Sequence, residues 1–125
     1  MFKALLFFAF IFPGSVFAAS ITKTDIIGNW ESLGGSITQS RNLSGLTSPG
    51  PNINRFHANG KYEYIVIQKD SQAKPVNGTW VLKNGVLSIT RPDSGTFNNI
   101  ITHYKNGVLE TKEDDTGIYQ YWKKK

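Results

Sequence analysis

The 125-residue chain has no cysteine, two histidines and one methionine. No disulfide can form, no thiol nucleophile exists, and any cysteine-ligated zinc or iron–sulfur site is excluded. Acidic residues are also sparse, 9 against 14 Lys and Arg, for a formal net charge of +5. The two signs interleave along the chain, so a surplus of this size reads as ordinary solubility charge. No helix-turn-helix, zinc-finger or RNA-binding motif is present, and a nucleic-acid partner is not expected. Long apolar runs are missing too. The one extended run, Ala4 to Phe12, is too short to cross a bilayer and meets the breakers Pro13 and Gly14.

That run follows Met1-Phe2-Lys3 and precedes Val16 and Ala18, two small residues spaced as a signal peptidase requires. Residues 1–18 therefore read as a signal peptide, cleaved after Ala18, and residues 19–125 as a single domain. Loss of Lys3 lowers the charge from +5 to +4. The expected location is periplasmic or secreted, with no stable membrane span after cleavage. A small exported domain without disulfides must be held by apolar packing and sheet hydrogen bonds.

What the remaining chain does contain is β-rich runs cut by Gly, Asn, Asp and Pro. Strands are expected near Gly28–Leu33, Asn52–His57, Lys61–Gln68, Gly78–Leu82, Val86–Thr90, Thr96–Tyr104, Val108–Lys112 and Ile118–Lys123, with one helical turn at Thr24–Ile27. Three connections are Asn-Gly pairs, at Asn59-Gly60, Asn84-Gly85 and Asn106-Gly107. Asn-Gly suits a hairpin because both residues tolerate the positive φ that a strand-matching turn demands. The connections between them are longer: Gly34–Pro51, Lys69–Asn77, Arg91–Gly95 and Glu113–Gly117. An up-and-down meander puts successive turns at opposite ends, so one tight end and one loop-bearing end are expected. An open meander would leave two edges and a bare apolar face; an all-β, eight-stranded up-and-down antiparallel β-barrel leaves neither.

Turn length sets which side chains face in. A two-residue turn at Asn84-Gly85 places Trp80, Leu82, Leu87 and Ile89 together. The same turn at Asn106-Gly107 gathers Tyr104, Thr102 and Ile100 with Leu109 and Thr111, leaving His103 opposite Glu110 on the outer face. A three-residue first turn joins Phe56 to Tyr62 and Tyr64. The last strand is apolar or aromatic on both faces, and its register stays open. Trp80, Leu82, Tyr62, Tyr64, Tyr104 and Leu109 form an inward set that either fills the core or lines a ligand cavity.

Gly28-Asn29-Trp30, preceded by Asp25-Ile26-Ile27, resembles the Gly-x-Trp opening of the lipocalins. Phe56 to Tyr62 and Gly78 to Leu87 resemble the repeated hairpins of small bacterial lipocalin-like domains, and the likeness spans the mature chain. It departs in lacking the Thr-Asp-Tyr motif, the disulfide and a C-terminal helix. The resemblance implies structural roles for Gly28 and Trp30, with Trp30 plugging the closed end, and gives the basic residue over that Trp to Lys123. It also implies that the long connection 34–51 is a lid, with Arg41, Leu43 and Leu46 able to touch a ligand. A linker is the other reading of that segment.

No catalytic residue, metal ligand or cofactor is expected. Serines lack a neighbouring base, His103 with Glu110 reads as a structural cross-strand pair, and Glu113-Asp114-Asp115 lacks the spacing of a calcium loop. Asn42-Leu-Ser44 and Asn77-Gly-Thr79 fit glycosylation acceptors, should the host modify such sites. The expected function is a monomeric, exported binding protein holding a small hydrophobic or amphipathic molecule. The alternative is a protein-binding module, of inhibitor or immunity type, meeting an envelope protein through the charged loops that carry Arg41, Lys69, Asp70, Lys74, Arg91, Asp93 and Glu113 to Asp115. Intact-mass measurement of protein recovered from a bacterial periplasm should give a chain beginning at Ala19; a retained leader would overturn the cleavage assignment.

Overall fold

The computed structural model describes residues 21–40, 43, 45–47, 49–68 and 74–125. The expected signal peptide 1–18, together with Arg41, Lys69 and Asp70, lies outside the described residues. A single helical turn, α1 (Lys23–Ile26), precedes eight strands: β1 (Gly28–Ser36), β2 (Asn52–Phe56), β3 (Lys61–Val66), β4 (Val76–Lys83), β5 (Val86–Arg91), β6 (Gly95–Lys105), β7 (Val108–Glu113) and β8 (Tyr119–Lys124). Each strand pairs antiparallel with the next, and β1 pairs with β8, closing the barrel.

The tight end follows from turn chemistry. Asn84 and Asn106 hold φ of 52° and 54°, and Gly85 and Gly107 follow at 76°, the two-residue geometry that matches strand twist. Trp80 then faces Ile89 and Leu82 faces Leu87 across β4–β5. The first hairpin takes the three-residue form: His57 and Lys61 close it, Gly60 sits at φ 88°, and Phe56 pairs with Tyr62.

The third hairpin departs from simple alternation. Its register breaks between Ile101 and His103, so Thr102 is a bulge residue. Tyr104 still pairs with Leu109, but beyond the bulge the inward residue opposite Thr111 is Ile101, 2% exposed, and Ile100 turns outward. A bulge adds one residue to one strand, which moves everything beyond it to the other face.

α1 seals the tight end. The Asp25 carboxylate accepts from the Thr22 backbone N–H (2.8 Å) and hydroxyl (3.0 Å), holding the turn. This brings Ile21 and Ile26 onto a core of Trp30, Phe56, Trp80, Leu87, Leu109 and their neighbours. The Trp30 indole N–H donates to the Ile26 carbonyl at 2.8 Å. Trp80 donates to the His57 carbonyl at 2.9 Å and Trp122 to the Thr111 hydroxyl at 3.1 Å, so every buried indole donor is satisfied. Phe56 packs edge-on to Trp80, with ring centroids 5.4 Å apart.

The cation over the plug is Lys124 and not Lys123. Its Nζ lies 5.3 Å from the Trp30 ring centroid and donates to the Asp25 carbonyl at 2.7 Å. Trp122 faces in, so alternation turns Lys123 outward, where it is exposed, and brings Lys124 back over the core.

Replacing Trp30 with Ala removes the plug, its hydrogen bond and the Lys124 contact at once, and should cost about 3–5 kcal/mol of stability, read from chemical denaturation. A loss under about 1 kcal/mol, ordinary for a surface site, would show that α1 does not depend on Trp30.

Candidate functional site

Inside the barrel, polarity changes from one end to the other. The tight half is apolar and filled. Toward the loop-bearing end the inward positions become Asn52 and Asn54 on β2, Arg91 on β5, Asn99 on β6, Glu113 on β7 and Gln120 on β8. There the interior opens into a cavity of about 250 Å³. Its lower wall is Tyr62, Ile89 and Trp122; Tyr64 and Phe97 stand higher, and Ser32 and Pro49 border it on the side of β1.

The asparagines are structural members of this mouth. The direct ladder of β1 with β2 ends at Trp30 opposite Asn54, before the bulge that β1 makes between Ser32 and Gly34 against β8. The Asn52 carboxamide bridges the gap: its oxygen accepts from the Ser32 N–H (2.9 Å) and its nitrogen donates to the Ser32 carbonyl (3.1 Å). Asn54 donates to the Asn52 side-chain oxygen (3.1 Å) and accepts from the Tyr62 hydroxyl. Buried polar groups of this kind persist because they are paired.

Arg91 differs. Its guanidinium carbon stands 5.8 Å from the Tyr64 ring centroid and 5.3 Å from that of Phe97. Its Nε is buried without a hydrogen-bond partner, and among the described residues no acid comes within ion-pair distance of it. Glu113 is on β7, two strands away, and its register through Asn99 sets it level with Leu87 and not with Arg91, so the two are apart both across and along the wall. Its Oε1 accepts from the Thr116 hydroxyl at 2.7 Å, toward the rim.

The inward set read from the sequence is divided by the structure. Tyr62 and Tyr64 line the cavity, whereas Trp80 and Leu109 are 3% and 1% exposed within the filled half, and Leu82 and Tyr104 pack against it. Arg91 and Glu113, read as loop charges, are inward strand residues of the mouth. Continued alternation from Leu87 and Ile89 to Arg91, and from Leu109 and Thr111 to Glu113, is the signal that finds them.

The described residues of the long connection lie along the outer wall, and of them none but Pro49 borders the mouth. Gln39 donates to Glu110 Oε1 at 3.1 Å, the Ser40 N–H donates to the Tyr121 hydroxyl at 2.6 Å, and Thr47 bridges back to Gly35. Leu43 borders a groove of the outer wall beside His103, Lys105 and Val108, near the tight end. Of the described loop residues only Pro49 reaches the cavity. Glu110, expected exposed, is consequently 1% exposed. It accepts from the Thr102 hydroxyl at 2.7 Å and the Tyr121 hydroxyl at 2.7 Å, while His103 stands opposite it in the ladder. Among the described residues, no three His, Asp or Glu side chains gather as a metal site.

Burial pushes the Tyr62 phenol well above the ordinary tyrosine range, with nearby Arg91 opposing the shift and Tyr64 adding to it. The folded chain therefore keeps a proton that the unfolded chain releases near pH ~10. Stability from this group is intact below that pH and falls as pH rises through it. In denaturant titrations from pH 8 to about 11, the slope of stability against pH should be shallower in Tyr62→Phe than in the native protein; equal slopes would refute the assignment.

No family model matches the chain, and no curated protein matches it by sequence. Solved structures share its fold. An uncharacterised protein from Bacteroides eggerthii aligns with a TM-score of 0.64 at 12% identity, over 80% of this chain and 99% of that one. A lipocalin-like protein from Bacteroides uniformis aligns with a TM-score of 0.58 at 17% identity, over 81% of this chain and 99% of that one. At these identities the likeness is one of fold.

Proposed function

We propose that this lipocalin-like barrel domain binds a small amphipathic molecule in its open mouth, in the periplasm or outside the cell, without turning it over. The cavity carries the reading: about 250 Å³ of space in an otherwise filled barrel. Small-molecule sites usually span about 300–1,000 Å³, so the occupant is small or projects through the mouth. Tyr62, Ile89 and Trp122 suit an apolar body, and the polar rim suits a hydrophilic end. The leader-like residues 1–18 support export. A protein-binding role has less behind it, because Gln39 and Ser40 of the long connection are engaged with the barrel's own wall.

Titration with the neutral dye N-phenylnaphthylamine should give saturable fluorescence and quench tryptophan emission through Trp122. Ser32→Phe, which sets a ring into the cavity, should abolish both signals. If the dye fails to bind the native protein and native mass spectrometry finds no co-purified molecule, the reading is wrong.

A further inference from the structure

Arg91 is out of keeping with the rest of the barrel interior. Around it, each buried polar side chain has a protein partner: Asn52 and Asn54 stitch β1 to β2, Asn99 donates to the Leu87 carbonyl at 3.2 Å, and Tyr62 donates to Asn54. Arg91 instead stands against aromatic faces with its Nε buried and unpaired. A buried donor left unpaired costs free energy, and a guanidinium more than a neutral group. The strands supply no acceptor, so one that completes the site comes from the cavity.

We propose that Arg91 is the recognition residue for a carboxylate, and that the ligand class is a small aromatic or aliphatic carboxylic acid bound with its anionic end at the mouth. This rests on the ligand-binding reading above and adds the charge and orientation of the ligand. The guanidinium fork matches two carboxylate oxygens in one plane, and donates more strongly to a charged acceptor than to a neutral amide. The Tyr64 and Phe97 rings flank the guanidinium at cation–π distance and favour its placement there. The apolar body then points down toward Tyr62, Ile89 and Trp122. Glu113 sits two strands away with its carboxylate drawn to the rim by Thr116, so it sets a repulsive boundary on the far side and steers the anion to β5.

The test displaces bound N-phenylnaphthylamine with phenylbutyrate or its uncharged isostere phenylbutyramide. On the native protein, phenylbutyrate should compete at a concentration at least tenfold lower than the amide. Arg91→Gln should erase that preference, so that acid and amide displace the dye at concentrations within about twofold of each other once each is referred to the variant's own dye affinity. Arg91→Lys, which keeps the charge and loses the fork, should retain only part of the preference, and serves if the glutamine variant does not fold. Equal potency of acid and amide on the native protein, or a preference that survives in both variants, overturns the assignment of Arg91 while leaving the cavity as a binding site. No dye binding to the native protein overturns the binding reading itself.

Discussion

The pairing of β1 with β8, from Trp30 opposite Lys124 to Ser36 opposite Tyr119, turns a meander with two free edges into a continuous wall. Much else depends on that seam. It places Lys124 over Trp30 and brings its ammonium to the carbonyl of Asp25 in α1, so the last strand helps to fasten the helical turn that precedes the first. It also sets Gly34 opposite Tyr121, whose pairing with Glu110 across β7–β8 makes the anchor for the long connection. With no cysteine available, this seam does what a crosslink between the chain's ends would do.

Within the wall, the inward side chains sort by height. Aromatic and aliphatic groups fill the tight half, where short turns bring the strands together and α1 excludes water. Amides and charges occupy the mouth, where longer connections leave room. The arrangement reconciles two demands on a small barrel. A filled half supplies the burial that folding requires, and the mouth keeps a cavity without removing much of the core.

Local chemistry explains what was legible in the residues. Asn84-Gly85 and Asn106-Gly107 specify turn type, and turn type specifies pairing, so Trp80 with Ile89 and Tyr104 with Leu109 follow from a few neighbouring residues. Gly28-Asn29-Trp30 likewise marked the plug. The bulge at Thr102 carries no such signature and reverses Ile100 and Ile101. The course of residues 37–40 depends on Glu110 and Tyr121, which are distant in sequence and meet only once β7 and β8 are paired. Arg91 and Glu113 were hidden by a boundary: a charged residue at a strand end looks like the first residue of a loop, although alternation continues through it.

The seam between β1 and β8 has a kinetic side as well. The hairpins β2–β3, β4–β5 and β6–β7 join neighbours across short turns and close small loops. Trp30 and Lys124 must find one another across nearly the whole chain. Loop-closure entropy and the slowness of non-local pairing place that event last. Until it happens the first and last strands are open edges flanking an uncovered apolar face, and another unfinished chain offers the same hydrogen bonds. The same contact that leaves the finished barrel without edges is therefore the one whose delay sets how long the folding chain is prone to aggregate.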